Sequence, residues 1–286
     1  MRYPTIFVNH GGGPLPLLGR QPEIVKHFQE TVQIWLPAQK PTAIVVFSAH
    51  WESSPVRITS ASKPSMYFDY YGFPPESYEY TYPTQGHPQL AQKIQDLLAN
   101  DGIASKLDAD RGYDHGVFIP LMMMYPEADI PVVAVSLDAS LSAESNIAVG
   151  KALSPLRDEG ILILGSGYTF HNMQAFFNPS KYTKDQSHIF NSWLQETLKA
   201  ATVGQALPAL AKWEEAPGAR VCHPREEHLL PLLMTAAAAG SDAHPKMIWS
   251  NTNDRKCGLS MREVACYLLL TNFFSRTDAI SSYMFE

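Results

Sequence analysis

Four short runs of continuous apolar, largely β-branched residues restrict the folds open to this chain. Strands that are buried on both faces have this unbroken apolar character, as the central strands of α/β sheets do. Segments with helical periodicity separate the runs. We therefore predict an α/β fold, with a central, mostly parallel or mixed sheet flanked by helices. The predicted strands are 5–9, 43–48, 131–136 and 161–164, with later ones near 246–249 and 258–269, and the predicted helices are 22–36, 88–99, 143–157, 184–201 and 224–238.

The chain has 286 residues and shows no internal repeat or linker. Since α/β units often reach this size undivided, we expect one domain over residues 1–286. The stretch 61–87 differs from the rest because it is dense in Tyr, Phe and Pro. Proline opposes both helices and central strands, so we predict an ordered aromatic loop over one face, and loops of this length are uncommon unless functional.

Charge and cysteine content exclude several classes of protein. The net charge is −6 and no basic stripe is present, which argues against a nucleic-acid partner. No segment approaches the roughly 18 apolar residues of a membrane span. Cys222, Cys257 and Cys266 form an odd set without CxxC spacing, which favours reduced thiols in a cytosolic protein over disulfides or a thiolate zinc site. The sequence is compatible with an oligomer.

Three histidines follow predicted buried strands. His10 in TIFVNHGGGP and His50 in AIVVFSAHWE each stand where an apolar run gives way to a loop. Ligands of open α/β sheets bind outside the carboxyl ends of the strands, so these two ends could share one crevice. His171 lies seven residues past a third run, and we expect Gly165 and Gly167 to let the backbone turn towards the same edge.

Two further histidines stand near predicted helix starts. His115 follows Asp114 at a helix entry, and His228 falls in the first turns of a helix that we expect Pro224 to open. Burial near a helix N-terminus disfavours imidazolium and leaves the neutral ring that a metal requires, which makes His228 a better candidate ligand than His223. The remaining histidines are expected at the surface or in capping and structural positions: His27, His87, His188 and His244.

Several chemistries compete for these residues. The HGGG motif could supply an oxyanion hole in an α/β-hydrolase, but LGSGY at 164–168 lacks the first glycine of the G-x-S-x-G elbow. Imidazole-rich sites with an open position suit zinc or iron. Zinc would ionise water for hydrolysis, whereas Fe(II) could bind substrate and dioxygen together, and spacing does not choose between them.

Seven motifs in order give a more specific indication: NHGGGP, SAHWE, YGFPPESYEYTYP, GYDHGVFIPL, MYPEADIPVVAVSLD, LGSGYTFHNM and HPREEHLLPLL. This set resembles the class III extradiol ring-cleaving dioxygenases of the LigB-like superfamily, and within it the 4,5-DOPA extradiol dioxygenase type. The resemblance runs from the first strand to about residue 270. It implies a mononuclear non-haem Fe(II), often replaced by zinc in isolated protein, that acts on a catechol and O2 to give a semialdehyde.

The resemblance also implies residue roles. His10, His50 and His228 match the metal ligands, with some ambiguity between His228 and the adjacent Glu227. His171 matches an acid/base residue close enough to be a fourth ligand, and His115 matches a second active-site histidine near dioxygen and the substrate oxygens. Asp114 could fix the tautomer of His115, Arg225 and Tyr168 could contact substrate, and the aromatic loop could form a wall over the ring.

Two alternatives remain beside a dioxygenase. One is a zinc-dependent hydrolase, and the other is a non-enzymatic binding protein on the same fold, as the Memo-like members of the superfamily have been treated. The presence of both His115 and His171 favours catalysis.

Overall fold

A computed structural model describes residues 2–250 and 279–286 of the chain. These residues form one eight-stranded sheet of order β4-β3-β5-β2-β6-β1-β8-β7. The predicted strand near 258–269, together with Cys257 and Cys266, lies outside the described residues. The strands are β1 Thr5–Asn9, β2 Ala43–Ser53, β3 Val56–Thr59, β4 Ser105–Asp108, β5 Val132–Asp138, β6 Ile161–Gly167, β7 Pro245–Ser250 and β8 Ser281–Phe285.

The centre of the sheet is parallel and its edges are mixed. Strands β1 and β2 both pair in parallel with β6, and β5 pairs in parallel with β2. At one edge β8 runs antiparallel to β1, and β7 antiparallel to β8. At the other, β3 is antiparallel to β5 and parallel to β4. The predicted α/β architecture with a mixed sheet is confirmed.

The central strands are buried on both faces, as their continuous apolar runs predicted. In β1, Ile6 and Val8 belong to one core cluster while Phe7 belongs to the other. In β2, Ile44 and Val46 face the first cluster. Because successive side chains of a strand point to opposite faces, each strand stabilises both layers, and each buried aliphatic or aromatic side chain contributes about 1.5–3 kcal/mol.

Helices cover both faces of the sheet within the described ranges. Those predicted near 22–36, 88–99, 143–157 and 184–201 are present, with shifted ends. The first continues as a π-helix, Thr31–Trp35, and the third as a 3-10 turn, Ser154–Glu159. The α-helices are α1 Pro22–Glu30, α2 Pro88–Asn100, α3 His115–Met124, α4 Ala143–Ala152, α5 Met173–Phe177, α6 Lys181–Thr197, α7 Val203–Ala211, α8 Ala219–Cys222 and α9 Leu230–Ala239. None of them has the length and apolar content needed to cross a membrane.

The predicted start of the last helix and the predicted exposure of His27 are wrong. The helix expected from Pro224 begins only at Leu230, with Pro231 in its first turn, and the residues before it form a tight turn. His27 is buried rather than at the surface and stacks on Trp249, with ring centroids 4.9 Å apart. It shares the inward face of α1 with Ile24 and Phe28, at the i, i+3, i+4 spacing of an amphipathic helix.

The aromatic segment 61–87 is an ordered loop, as predicted. Its regular structure is a 3-10 turn, Pro75–Tyr78, and two isolated bridges that join it to Tyr113 and Val132. The Tyr70 hydroxyl donates to the carbonyl of Ser77, 2.5 Å away, and closes the loop on itself. His87 caps α2 by accepting a hydrogen bond from the backbone of Leu90.

Candidate metal centre and active site

Five histidines from separate parts of the chain line one cavity of about 650 Å³. They are His10, His50, His115, His171 and His228. Gly11–Gly13, several aromatic side chains of the 61–87 loop, and Tyr168 line it too. All five histidines singled out from the sequence therefore lie together beyond the carboxyl ends of the central strands β1 and β6.

His10 follows the last residue of β1, where the glycines turn the chain. Its backbone N–H donates to the carbonyl of Gly167, 3.3 Å away, which ties the two strand ends together. Gly11 has φ +90°, a conformation that side chains oppose, and a Cβ there would lie 2.3 Å from Pro16. Gly11 of the HGGG motif is therefore needed for the turn that follows His10.

His50 lies inside β2, which continues to Ser53 instead of ending near residue 48 as predicted. The pairing of β2 with β6 stops at Ser48, and its register against β5 shifts between Phe47 and Glu52. Such bulges bend a strand and redirect its side chains. The irregularity is what brings His50 to the cavity.

His228 lies in the turn before α9, packed directly onto β6. The backbone N–H of Tyr168 donates to the carbonyl of His228, 2.8 Å away. A Cβ at Gly167 would lie 2.2 Å from that carbonyl oxygen, and a Cβ at Gly165 would lie 2.5 Å from the carbonyl of Pro231. The expectation that these glycines turn the backbone is wrong: both are within β6, and they allow the 228–231 segment to approach the sheet.

The three candidate ligands have the mutual distances of a mononuclear metal site. Ring centroids are separated by 4.9 Å for His10 and His50, 5.4 Å for His10 and His228, and 4.8 Å for His50 and His228. Three imidazoles bound to one ion with metal–nitrogen bonds of about 2.0–2.1 Å would place their centroids roughly 5 Å apart. The spacing fits a single divalent cation.

The partners of the Nδ1 atoms of His10 and His50 leave their Nε2 atoms to face the cavity. The Ser166 hydroxyl donates to the carbonyl of Gly116, so its oxygen accepts from Nδ1–H of His10 at 3.0 Å. Nδ1 of His50 lies 3.5 Å from a carboxylate oxygen of Asp69. The Nε2 atoms of His10 and His50 then lie 3.2 Å apart, and their lone pairs repel each other. Two nitrogens bound to one tetrahedral ion would be separated by a similar distance, roughly 3.3 Å. A cation bound by both lone pairs would remove the repulsion.

His115 is oriented by Asp69, not by Asp114. Both carboxylate oxygens of Asp69 lie 2.9 Å from Nδ1 of His115, and one of them also accepts from the His115 backbone N–H at 2.9 Å. Asp114 instead accepts from the Ser48 hydroxyl at 2.6 Å and pairs with Arg111 at 3.0 Å. The predicted role of Asp114 towards the His115 ring is therefore wrong.

Glu227 is shared by His171 and His228. Its Oε1 lies 2.8 Å from Nδ1 of His228 and 3.3 Å from Nδ1 of His171. Its Oε2 lies 3.3 Å from the guanidinium of Arg225. Because both oxygens already have cationic or N–H neighbours, this geometry favours His228 over Glu227 as the metal ligand.

The distances between the possible ligand atoms of the cavity side chains divide these side chains into two groups. One contains His10, His50 and His115, and the other contains His171, Glu227 and His228, each within 4.8 Å. The three candidate ligands His10, His50 and His228, called the triad below, come from both groups. His115 therefore lies on the His10 and His50 side of the triad, and His171 on the His228 side.

Burial keeps the candidate ligands neutral. Desolvation, followed by repulsion from neighbouring histidines, lowers the pKa of His10 and His50 well below the usual value. The same causes lower the pKa of His228 to about 3. For Glu227, burial opposes ionisation, but hydrogen bonds from His171 and His228 outweigh it and lower the pKa. Neutral imidazoles beside fixed carboxylates are the state that a metal site requires.

Sequence reasoning missed Asp69. It lies 46 residues before its partner His115. The available signal was its position as a lone carboxylate among the aromatic residues Tyr67, Phe68, Tyr70 and Tyr71. A charge in so apolar a segment needs a partner, but the sequence alone does not say which.

Comparisons with known proteins identify the family of this chain. The family described as the catalytic LigB subunit of aromatic ring-opening dioxygenase matches residues 5–260. A Beta vulgaris protein named 4,5-DOPA dioxygenase extradiol is 37% identical over 85% of this chain and 90% of its own length. An Escherichia coli K12 protein of the same name is 35% identical over 83% of this chain and 85% of its own length.

A solved structure shows the same architecture. The crystal structure of an uncharacterized Escherichia coli K12 protein aligns with a TM-score of 0.71 and 26% identity, covering 99% of each chain. From the family match and these relatives, the chain belongs to the LigB family of aromatic ring-opening dioxygenases and is a ring-cleaving extradiol dioxygenase, an oxidoreductase.

Proposed function

We propose that the protein cleaves the ring of a catechol with O2, using one Fe(II) held by His10, His50 and His228. The observation that carries this proposal is the convergence of three neutral imidazoles, with Nε2 directed inward, on a cavity that also contains His115 and His171. Fe(II) would supply Lewis acidity towards a catecholate and a route for electrons from the aromatic ring to dioxygen.

His171 is the proposed base for a catechol hydroxyl. Its Nδ1 faces Glu227 at 3.3 Å, which leaves Nε2 for the substrate. When Nε2 takes the hydroxyl proton, the carboxylate of Glu227 stabilises the imidazolium through Nδ1–H. His171 is also a candidate fourth ligand in the resting enzyme, but its ring centroid lies 3.4 Å from that of His228, closer than the roughly 5 Å of two imidazoles on one ion, so this role requires its ring to move.

His115 is the proposed proton donor on the other side of the triad. Its ring centroid is 3.9 Å from that of His50 and 5.2 Å from that of His10. Asp69 holds Nδ1 as a donor and so directs Nε2 away from the protein interior. From there Nε2 could hold a proton beside the oxygen atoms of the bound reactants.

The test is a ring-cleavage assay of protein loaded with Fe(II) without oxygen. A panel of catechols is added, air is admitted, and the yellow absorbance of a semialdehyde is followed. Cleavage in wild type and its loss in His171→Ala with iron retained would support the proposal. Ester hydrolysis by the zinc form would indicate the hydrolase alternative, and an absence of turnover with any metal would indicate a binding protein. The cytosolic location and the 1–286 domain span stay predictions.

A further inference from the structure

Two segments of the chain line the outer part of the cavity with apolar side chains. Met173 and Phe177 come from α5, where their i, i+4 spacing puts them on one face. Tyr71 and Phe73 come from the aromatic loop. Tyr71 is 89% exposed, Phe177 45% and Met173 39%, so these side chains lie at the rim and present apolar surface to solvent.

Both sides of this rim are anchored. The Asn172 side chain accepts from the backbone of Ala175 and donates to the carbonyl of Val221 at 2.7 Å, which fixes the start of α5. In the aromatic loop, Phe73 packs 3.4 Å from the position that a Cβ on Gly13 would occupy. The apolar rim is therefore a preformed surface that continues from the histidines outward.

Charge at the rim does not favour an anionic substituent. Among lysines and arginines of the described ranges, Arg225 alone lines the cavity. Its guanidinium makes a bidentate pair with Glu52, at 2.6 and 2.5 Å, and lies 3.3 Å from Glu227. A substrate carboxylate would compete with two protein carboxylates for this one cation.

The cavity is also large for a bare catechol. Its volume of about 650 Å³ falls within the range of about 300–1,000 Å³ of pockets for drug-sized ligands. A catechol seated at the histidines would leave the space between Met173, Phe177 and Phe73 to be filled by whatever substituent the ring carries.

We propose that the preferred substrate is a catechol carrying an apolar substituent of about the size of a second ring, which packs against α5 and the aromatic loop, rather than one carrying a carboxylate. This proposal rests on the proposed function and names the substrate class of the same site.

The experiment compares unsubstituted catechol, 4-benzylcatechol and 3,4-dihydroxyphenylalanine as substrates of the Fe(II)-loaded protein. We expect kcat/KM for 4-benzylcatechol to exceed that for 3,4-dihydroxyphenylalanine by about tenfold or more, since even one methylene in an apolar pocket changes specificity by about tenfold or more. Phe177→Ala and Met173→Ala should each remove most of this preference by lowering kcat/KM for 4-benzylcatechol. Ile189→Ala, which removes an exposed apolar side chain on α6 outside the cavity, is the matched control.

Arg225→Gln distinguishes a rim that binds an apolar substituent from a rim at which Arg225 binds a substrate carboxylate. Under the proposal it lowers kcat/KM for both substituted catechols by the same factor, because Arg225 acts through Glu52 and Glu227. A loss confined to 3,4-dihydroxyphenylalanine, or a preference for that substrate in wild type, would overturn the proposal.

A binding measurement keeps the two proposals distinguishable. The affinities of 4-benzylcatechol and 3,4-dihydroxyphenylalanine for the Zn(II)-loaded protein are measured by calorimetry, which needs no turnover. Tighter binding of 4-benzylcatechol without any ring cleavage would support the substrate class and reject the proposed function. Equal or reversed affinities with active ring cleavage would support the function and reject the substrate class.

Discussion

His171 lies flat against His228, with ring centroids 3.4 Å apart and planes inclined by 14°. The Nδ1 atoms of both rings face the same oxygen of Glu227. One carboxylate therefore orients the proposed acid/base residue and one proposed metal ligand together. A change at Glu227 should affect metal binding and proton transfer at the same time.

Glu227→Gln tests this shared role. The amide keeps the size of the side chain but lacks the charge, and an amide oxygen kept at the Oε1 position would turn the NH2 group towards Arg225, so the acceptor shared by the two imidazoles is weakened. We expect the affinity for Zn(II) to fall by about 10–100-fold, as for other partners of metal-bound histidines. Titration calorimetry measures it. Glu226→Gln is the control, because Glu226 pairs with Arg220 at 2.6 Å and does not line the cavity. Equal losses in both variants would contradict the role.

Metal binding should stabilise the fold through the triad. At a free Zn(II) concentration about 100 times Kd, linkage gives about 2.7 kcal/mol, or a rise in Tm of roughly 5–10 °C for a domain of this size. His10→Ala and His50→Ala should remove the rise, since each deletes one of the facing Nε2 atoms. Differential scanning fluorimetry with and without metal measures it. His188→Ala, at an exposed position on α6, should keep the rise.

Asp69→Asn should reduce turnover more than substrate binding. The amide oxygen can still accept from the backbone N–H of His115, so the start of α3 remains capped. The ring of His115 loses its charged partner, and we expect kcat to fall by about tenfold or more with KM within about twofold. Steady-state oxygen uptake with a cleaved catechol measures both. Glu79→Gln, at an exposed position of the same loop, is the control. A change in KM alone would indicate that Asp69 shapes the substrate pocket instead.

A candidate ligand could be predicted from the sequence where the residues next to it showed its place in the fold. His10 directly follows a buried strand, and that placement is visible in the apolar run before it. His50 was identified for a related reason, but the bulge that redirects it depends on the register against β5, a strand more than 80 residues away. Register is a property of the assembled sheet, so a single strand does not reveal it.

His228 was identified although its expected local structure was wrong. The helix begins at Leu230, and the lowered pKa of His228 comes from burial and from neighbouring histidines rather than from a helix terminus. The partners Asp69 and Glu227 were assigned no orienting role, because only the folded chain shows which Nδ1 atoms they face.

Gly167→Ala should weaken the metal site without altering any proposed ligand. The added Cβ would push on the His228 carbonyl, which Tyr168 holds by a hydrogen bond. We expect a loss of about 1–3 kcal/mol in unfolding free energy, as for other overpacked positions, together with lower Zn(II) affinity. Gly165→Ala is the matched comparison, since its Cβ would meet Thr235 and Pro231 instead. It should lose stability to a similar extent and retain more of the metal affinity. Urea unfolding and calorimetry measure the two quantities.

Acid should destabilise the fold partly through His27, away from the metal site. Burial lowers the pKa of His27 to about 3 from 6.5, so between these values the unfolded chain binds one more proton than the folded one. Stability from this group is therefore complete above about pH 6.5 and falls as the pH drops towards 3, by about 1.4 kcal/mol per unit. Between pH 7.5 and 5.0 the loss is about 2 kcal/mol. His27→Gln should reduce the difference in unfolding free energy between these two pH values by about this amount, with urea unfolding in one metal-free buffer series as the measurement. His188→Gln controls for the removal of one histidine, and parallel pH curves for wild type and His27→Gln would show that His27 does not contribute.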